Sequence, residues 1–426
     1  MYDLANQSFT LLIITLLFSL YFKDQVAALA VQRGLDQLAA DNRGDFIWSL
    51  VHGSSFLVVV ALSPLLGAAA DARTWRKEIL IGTGGLCALL TVSLGFVPSS
   101  ALVVVALLYF IANVCYQIGE NFLASFLPDI STPTTIGRVS ATGWTMGYVG
   151  ALLLLLFVTA LMLIFGWKAP SQYQPFFIFA GVWFAAGMIP AMLYVREKKR
   201  PVHIRGGIVR ESFARVLETM RHAQHYRQLV LFLIAFLVYG FGVQVVIAFA
   251  SILAKRFGFV ETELVLFVLQ ITITAGIAAV LTGLYQDRIG TKRTIMFYLM
   301  IWFVSAVWLT WLTTLQSAPK WPLWVVGNGL GLGLGGIGTS SRSMVGLCTP
   351  RHRAAEFFGL WGLTYKLAAA IGVLAFGAVT ELLGDTGAMV LLASFFAVGF
   401  LLILPVNERQ GIEAARAAER QHASNE

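Results

Sequence analysis

The sequence predicts an all-α membrane protein in which twelve transmembrane helices form two similar bundles of six. The first supporting observation is composition, because 58% of the residues are hydrophobic and only 12% are charged, against roughly 25% charged residues in a soluble domain. The second is length, since 426 residues accommodate about a dozen spans of ~20 residues with short connections. The third is an internal repeat that divides the chain into two halves.

Twelve apolar stretches, bounded by charged residues or by Pro and Gly, are long enough to cross a membrane. In the first half they lie near 4–28, 47–70, 79–97, 102–125, 139–165 and 175–195, and in the second half near 229–253, 264–285, 295–315, 323–348, 357–382 and 388–404. We expect bundles at 1–195 and 228–405, a linker with an amphipathic helix at 196–227, and a tail at 406–426. The connection at 23–45 is expected to be a long outer loop with a short amphipathic surface helix.

The distribution of positive charge predicts the orientation of the chain. If both termini lie in the cytoplasm, 21 Lys and Arg residues fall on the cytoplasmic side and 7 on the opposite side. Because positive charge concentrates in cytoplasmic loops, we expect a multi-pass protein of the inner (cytoplasmic) membrane with both termini in the cytoplasm. This topology and the anionic lipid headgroups account for the net charge of +8, so no nucleic-acid partner is expected.

The spans contain neither a nucleophile–base pair nor a cluster at metal-ligand spacing. The three cysteines, Cys87, Cys115 and Cys348, fall in different predicted spans and are interpreted as small buried apolar residues. We therefore expect no enzyme activity, no cofactor and no metal. We expect a monomer whose partners are the lipid bilayer, a small-molecule substrate and protons.

The internal repeat consists of two loop sequences, GAAADARTWRK at 67–77 and GLYQDRIGTKR at 283–293. Each follows the second span of its half and places a Gly, an Asp four residues later, and two adjacent basic residues near its end. Gly67 and Gly283 are expected to let neighbouring helices approach closely. Asp71 and Asp287 are expected to face a positive helix amino terminus across the gap between the halves.

These two loops resemble the signature of the major facilitator superfamily, which lies between spans two and three and between spans eight and nine. The second copy follows the pattern closely, whereas the first has Ala72 after the aspartate and Thr74-Trp75 in place of a tight Gly turn. The resemblance implies two bundles that rock about a central site, with Asp71 and Asp287 holding the interface between them.

Three further segments resemble a narrower group: YDLANQSF at 2–9, NFLASFLPD and GRVSATGWTMGYVG within 121–150, and SRSMVGLCTPRHRAAEFFGLWGLTYKLAAAIG at 341–372. They are similar to the vacuolar amino-acid effluxers known from autophagy and to their bacterial relatives. This resemblance implies export of small solutes, which are amino acids in the best-described members. The residues assigned to gating and to the interface between the halves are Gly67, Asp71, Arg138, Gly283, Asp287 and Glu356.

Span four carries a polar stripe in an otherwise apolar helix. Its members, at spacings of four, three and one residues, lie on one helix face; they are Asn113, Gln117, Glu120 and Asn121. An unpaired charge is costly in lipid, so we expect the stripe to face a partner helix or a water-filled cavity. Burial disfavours the charged form of a carboxyl group, and Glu120 is therefore the candidate for proton coupling.

Glu120 in span four has a counterpart in Arg342 of span ten, since each lies eight residues before a proline, Pro128 or Pro350, that ends its span. Three interpretations remain open. The two side chains either pair directly as a gate on the cytoplasmic side or bind opposite ends of a zwitterionic substrate. In the third interpretation they are structural charges that neutralise each other between packed helices.

Four further polar residues, at the start of a span or within one, complete the candidate site: Asp3, Asn6, Gln244 and Lys366. Asp3 either exchanges a proton or meets a cation near the inner mouth, or it caps the first helix. Asn6 is the better candidate for a cavity position. Lys366 lies deep in span eleven and needs a carboxylate, a carbonyl or an anion nearby, unless it snorkels to the surface. Gln244 lies in span seven, which lines the cavity in the superfamily that the chain resembles; an interhelical hydrogen bond is the alternative.

Together these features predict a secondary active transporter that moves a small polar or zwitterionic, amino-acid-like solute by alternating access and uses a proton gradient. The alternative is an exporter or flippase of amphipathic compounds, such as drugs, siderophores or lipids, with the same fold. The 11 Trp and 31 Phe residues are compatible with that alternative, whereas the acid, the bases and the amides within the spans favour a polar solute.

Overall fold

Helices account for nearly all of the described chain. The computed structural model describes residues 2–73, 75–126, 136–167, 169–195, 197, 221, 226–315, 318–350 and 353–425. In the first half the helices are α1 (Tyr2–Gln32), α2 (Gln37–Arg73), α3 (Arg76–Leu94), α4 (Leu102–Ser125), α5 (Ile136–Phe165) and α6 (Gln174–Tyr194), with a 3₁₀ turn at Pro170–Gln172. In the second half they are α7 (Arg227–Arg256), α8 (Glu261–Ile289), α9 (Thr291–Thr313), α10 (Trp321–Leu347), α11 (Ala354–Ile403) and α12 (Glu408–Asn425).

The described residues contain twelve helical segments that run from one end of the molecule to the other. Within the described residues, ten helices are long and apolar enough to cross a membrane. One of them, α11, contains two spans separated at Gly384, whose φ of 70° is a conformation that glycine adopts without steric cost. The glycine-rich α10 provides the remaining span. The prediction of twelve spans is confirmed, and α4 has the ends expected from the sequence.

The connection between the first two spans differs from the prediction. Instead of a long loop at 23–45 with a separate surface helix, α1 continues to residue 32 and α2 begins at residue 37. The Ala, Leu and Gln residues of this segment favour helix. In addition, the buried side chains of Lys23 and Asp45 form an ion pair at 3.3 Å. This pair neutralises both charges where the two helices meet. The residues that were expected to form a loop therefore lengthen the two helices instead.

Near its start, α1 contains a nine-residue π-helical segment, Ser8–Leu16. Such segments are rare and occur frequently at functional sites. Ser8 Oγ donates to the carbonyl of Ala180 in α6 at 3.0 Å. Ser251 Oγ in α7 donates to the carbonyl of Thr15. The irregular part of α1 is therefore bonded both to its own half and to the other half.

The helices pack mainly within their own half of the chain. In the first half α3 packs against α4 and α6; in the second half α10 packs against α8 and α9, and α11 packs against α7. The contacts between the halves come chiefly from α2 against α11 and from α5 against α8. This arrangement is that of two six-helix bundles. The exact bundle boundaries at 195 and 228 stay a prediction, because most of the linker lies outside the described residues.

One end of the molecule is closed by charges. We call the end that carries residue 2 and α12 the termini end, and the opposite end the far end. Three ion pairs join the two halves at the far end: Asp24–Lys255, Asp45–Arg256 and Arg43–Glu381. Arg256 also bonds Asp385 of its own half and Asn42 of the other half. The far end is therefore held closed in this structure.

At the termini end the same capping contact occurs in both halves. Glu197 accepts hydrogen bonds from the first two backbone N–H groups of α3, at 3.3 and 3.1 Å. Glu408, at the start of α12, accepts hydrogen bonds from the first two backbone N–H groups of α9, at 3.1 and 3.0 Å. A carboxylate at a helix amino terminus bonds N–H groups that lack a partner and interacts favourably with the helix dipole. The duplicated contact supports the internal repeat seen in the sequence.

Candidate functional site

The polar stripe of α4 faces other helices of the protein. Asn113 Nδ2 donates to Ser55 Oγ at 2.6 Å, and Asn121 Nδ2 donates to Ser63 Oγ at 3.0 Å, which places both amides against α2. Gln117 is buried, and its Nε2 donates to Asn113 Oδ1 at 3.3 Å. The stripe therefore forms hydrogen bonds inside the protein, as a polar face in a membrane must.

Four ionisable side chains converge near the interface between the halves. Asp3 and Glu120 belong to the first half, and Arg342 and Lys366 belong to the second half. The charges that act most strongly on Glu120 are those of Asp3 and Lys366, and the charge that acts on Arg342 is that of Asp3. Among these four residues, no carboxylate oxygen lies within 4.0 Å of a basic nitrogen. The acids of one half therefore face the bases of the other half without forming an ion pair.

Glu120 and Arg342 do not form a direct ion pair in this structure, and the gate suggested by the repeat stays a prediction. Glu120 accepts a hydrogen bond from Asn6 Nδ2 and has Lys366 as its nearby cation. Arg342 instead interacts with Asp3. The repeat fixes the depth of a residue in its own half. The side chain that lies opposite depends on how the halves dock and on where α1 inserts its polar residues.

Lys366 is the buried cation of the site, with 9% of its surface exposed. Its Nζ donates to Gln117 Oε1, which links α11 to α4. The rings of Phe56 and Tyr365 have their centroids 5.8 and 5.7 Å from Nζ, distances at which an aromatic face attracts a cation. The lysine is therefore held inside the protein and does not snorkel to the membrane surface.

Asp3 lies in the first turn of α1, and its carboxylate is directed at α5. A Cβ atom at Gly143 would lie 2.8 Å from Asp3 Oδ2, so glycine at this position leaves the room that the carboxylate occupies. Asp3 also interacts with Arg342. Its position is compatible both with a role in the charged site and with stabilisation of the helix amino terminus.

Three buried polar atoms around Lys366 have no hydrogen-bond partner within the described part of the chain: Asn6 Oδ1, Gln244 Nε2 and Trp361 Nε1. Gln244 lies beside the hydroxyl of Tyr365, and the rings of Trp361 and Tyr365 are 6.3 Å apart. A buried polar group without a partner costs about 1–3 kcal/mol, and a bound ligand that pairs with it removes this cost. The first half thus offers one acceptor and the second half two donors.

Sequence reasoning missed Trp361 and Tyr365. Aromatic residues are frequent throughout the spans, and nothing in the spacing of these two separates them from residues that face lipid. The available signal was their place in the segment 341–372, beside Lys366, which carries the family resemblance.

The glycines of the repeat do not support close helix contacts in this structure. No atom of a neighbouring element within the described chain lies within 4 Å of a Cβ atom built on Gly67 or Gly283. Asp287 is exposed, so the expected contact that holds the interface is absent at this residue. All three lie toward the termini end, whereas the ion pairs between the halves that the described residues form lie at the far end. These three residues make no contact of the expected kind with the described part of the chain, and their roles at the interface stay predictions.

The other residues assigned to gating are only partly described. The side chains of Asp71 and Arg138 lie outside the described residues. Glu356 lies in the first turn of α11, where an acid interacts favourably with the helix dipole. Their roles in gating stay predictions.

Comparison with known sequences gives matches over most of the chain. The family described as "Vacuole effluxer Atg22 like" matches residues 47–416. The chain is 25% identical over 429 residues to the uncharacterized MFS-type transporter YxiO of Bacillus subtilis. The alignment covers 98% of this chain and 95% of that protein. It is also 23% identical over 402 residues to Autophagy-related protein 22 of Kluyveromyces lactis. That alignment covers 86% of this chain and 78% of that protein.

Solved structures share the fold. A D-xylose-proton symporter superposes with a TM-score of 0.71 at 14% identity, covering 96% of this chain and 97% of that chain. The inward open conformation of the xylose transporter XylE from E. coli superposes with a TM-score of 0.67 at 12% identity, covering 98% of both chains. At such identities the likeness shows the fold alone, and this fold is the major facilitator fold predicted from the sequence.

Proposed function

The chain belongs to the Atg22-like vacuole effluxer family, and we propose that it moves a small, amino-acid-like zwitterion by proton-coupled alternating access. Its family, its relatives and its fold are those of multi-pass membrane transporters of the major facilitator type. The substrate class, the coupling and the orientation in the inner membrane are supported by the charged site and by the distribution of basic residues.

The observation that carries the proposal is the opposition of two acids and two bases across the interface between the halves. An amino acid bears an ammonium and a carboxylate on the same carbon. The ammonium fits the side of Asp3 and Glu120, and the carboxylate fits the side of Arg342 and Lys366. Charge-assisted hydrogen bonds of this kind are the strong ones. A ligand with both charges contacts both halves at once, and its binding energy therefore favours the conformation in which the halves approach.

Proton coupling is supported by the proximity of Asp3 and Glu120. Two neighbouring carboxylates in a poorly hydrated site repel each other when both are charged, so the uptake of one proton relieves the repulsion. A proton on Glu120 also changes the charge that the ammonium of the solute meets. Binding of the proton and binding of the solute are therefore linked. One structurally similar protein is described as a D-xylose-proton symporter.

The orientation follows from the loops at the termini end, which carry most of the Lys and Arg residues outside the spans. Such an excess supports cytoplasmic termini in the inner membrane. In that orientation the far end, which is closed by ion pairs, faces outward.

Purified protein in proteoliposomes tests the proposal. Labelled amino acids, short peptides, sugars and amphipathic drugs are offered with and without an imposed pH gradient. We expect transport of at least one amino acid, at a rate that the pH gradient raises. Transport restricted to amphipathic compounds would overturn the substrate class, and rates that ignore the gradient would overturn the coupling.

Two variants connect the result to the site. Glu120→Gln keeps the shape of the side chain and removes its charge, so it should abolish the response to the pH gradient. The matched control is Glu413→Gln, which removes an exposed carboxylate of α12 and should leave the response intact. Exchanging the charges of Glu120 and Arg342 should abolish transport, because an oriented ligand site does not tolerate exchange; substantial remaining transport would instead support a simple gate.

A further inference from the structure

A cavity of about 320 Å³ lies at the far end, among helices of the second half. The end of α7, the end of α9 and the second span of α11 form its walls. Most of the lining is apolar and includes Leu253, Phe257, Leu312, Leu315 and Met389. A smaller void of about 20 Å³ behind Leu253 and Phe257 is lined by apolar residues alone. The charged residues on the wall of the larger cavity are Arg256 and Asp385, so this cavity has an apolar side and a charged side, as small-molecule sites do.

Asp385 offers the cavity an unused hydrogen-bond acceptor. Its Oδ1 accepts a hydrogen bond from Arg256, whereas Oδ2 has no hydrogen-bond partner among the described residues. The side chain of Asp385 is 29% exposed and that of Arg256 is 9% exposed. Arg256 is also bonded to Asp45 and Asn42 of the other half. The charge that a molecule in the cavity meets is therefore chiefly that of the carboxylate.

The charges and helix ends around the cavity favour a cation. Three acids act on Arg256, namely Asp41, Asp45 and Asp385, and the second base of this cluster is Lys23, 3.3 Å from Asp45. Three acids and two bases leave one excess negative charge. In addition, α7 and α9 end at the cavity, and the carboxyl terminus of a helix attracts positive charge. The second span of α11 begins there after the break at Gly384, and the positive amino terminus of this span carries Asp385 itself.

We propose that this cavity is a second binding site, which takes a small amphipathic ammonium compound from the far end. The ammonium donates a hydrogen bond to Asp385 Oδ2, and such charge-assisted bonds are the strong ones. The apolar body of the ligand packs on Leu253, Phe257 and Met389. The inference goes beyond the proposed function, because it concerns a site at the far end and holds whichever solute the central site carries.

Calorimetric titration of the full chain in phosphatidylcholine nanodiscs tests the site, with empty nanodiscs as the blank. Cyclohexylmethylammonium is the probe, and cyclohexylmethanol is its uncharged counterpart of similar shape. Because hydrogen bonds between charged groups are stronger than those of a hydroxyl, the alcohol should bind at least about tenfold more weakly than the amine. Equal affinities of the two compounds, or no binding of the amine, would overturn the proposal.

Four variants locate the bound probe. Asp385→Asn removes the carboxylate, and Ala318→Phe fills the cavity without changing a charge; each should weaken binding of the amine at least about tenfold. The matched control is Glu261→Gln, which removes another partly exposed carboxylate of the second half at the far end and should leave the affinity unchanged. Glu120→Gln should also leave it unchanged, because the amine does not bind at the central site. Full affinity in Asp385→Asn and Ala318→Phe, or loss of binding in Glu120→Gln, would contradict the proposal.

Discussion

Replacing Arg256 with methionine should open the far end of the protein. The side chain of Arg256 is 9% exposed, and that of its partner Asp45 in the other half is 2% exposed. The guanidinium also bonds Asn42 of the other half at 2.8 Å. The contacts to Asp45 and Asn42 join α7 to α2 and exist only while the far end is closed. Arg256→Met therefore destabilises the closed state relative to a state in which the far end is open.

The magnitude follows from the burial of the pair. Removing one partner of a buried ion pair costs about 3–5 kcal/mol. Lys23, 3.3 Å from Asp45 in the same half, remains as a counter-charge, so the lower value of about 3 kcal/mol applies. Because about 1.4 kcal/mol corresponds to a tenfold change in an equilibrium constant, the ratio of closed to open protein should fall about 100-fold.

Distances between spin labels at Arg33→Cys, in the loop after α1, and Val260→Cys, before α8, report the state of the far end. The three native cysteines are buried and do not interfere with labelling. The matched control is Arg43→Met, which removes an exposed pair at the same end, since 48% of the Arg43 side chain is exposed. Exposed pairs contribute about 0–1 kcal/mol, so the control should change the ratio by a few-fold at most. Equal shifts in the two variants, or no shift in Arg256→Met, would refute the argument from burial.

Three further predictions concern the site and the packing. Lys366→Met should lower the transport rate in proteoliposomes more than about 100-fold, because about 3 kcal/mol of charge-assisted binding is lost. The thermal midpoint of the protein should change little. A transport rate near that of the parent would show that Lys366 does not belong to the site. Gly335→Ala should lower the thermal midpoint, because its Cβ would lie 2.0 Å from a carbonyl oxygen of α8 and overpacking costs about 1–3 kcal/mol. The control Gly338→Ala should leave the midpoint unchanged, because no neighbouring atom of the described chain lies within 4 Å of its Cβ. Equal effects of the two variants would contradict the packing described. Glu408→Ala should lose about 0.5–2 kcal/mol of capping and speed amide hydrogen exchange at the start of α9, whereas unchanged exchange would show that the cap contributes nothing.

The membrane spans could be predicted because a lipid bilayer imposes one simple rule on the sequence. An apolar run of sufficient length crosses the membrane, and charges or prolines mark its ends; the predicted limits 102–125 of span four agree with α4 for this reason. The same rule fails where a helix leaves the membrane. Lys23 and Asp45 suggested a loop because they are charged, yet they pair with each other between two extended helices. A one-dimensional pattern shows each charge but not its partner.

The members of the candidate site were easier to predict than their contacts. Polar residues within spans stand out against an apolar background, which is why Asn6, Gln117, Glu120 and Lys366 could be selected. Arg342 was matched to Glu120 by depth alone. The structure gives each of them a different neighbour, because the rotation of a helix and the docking of the halves are not encoded in spacing.

The measurement that tests the central claim most directly is competition in counterflow between a transported amino acid and two of its derivatives. N-acetylation removes the ammonium that should face Asp3 and Glu120, and methyl esterification removes the carboxylate that should face Arg342 and Lys366. A hydrogen bond to a charged group contributes about 1.5–3 kcal/mol. Each derivative should therefore compete at least about tenfold more weakly than the parent amino acid. Derivatives that compete as well as the parent would show that the opposed charges of the two halves do not bind the two ends of the solute.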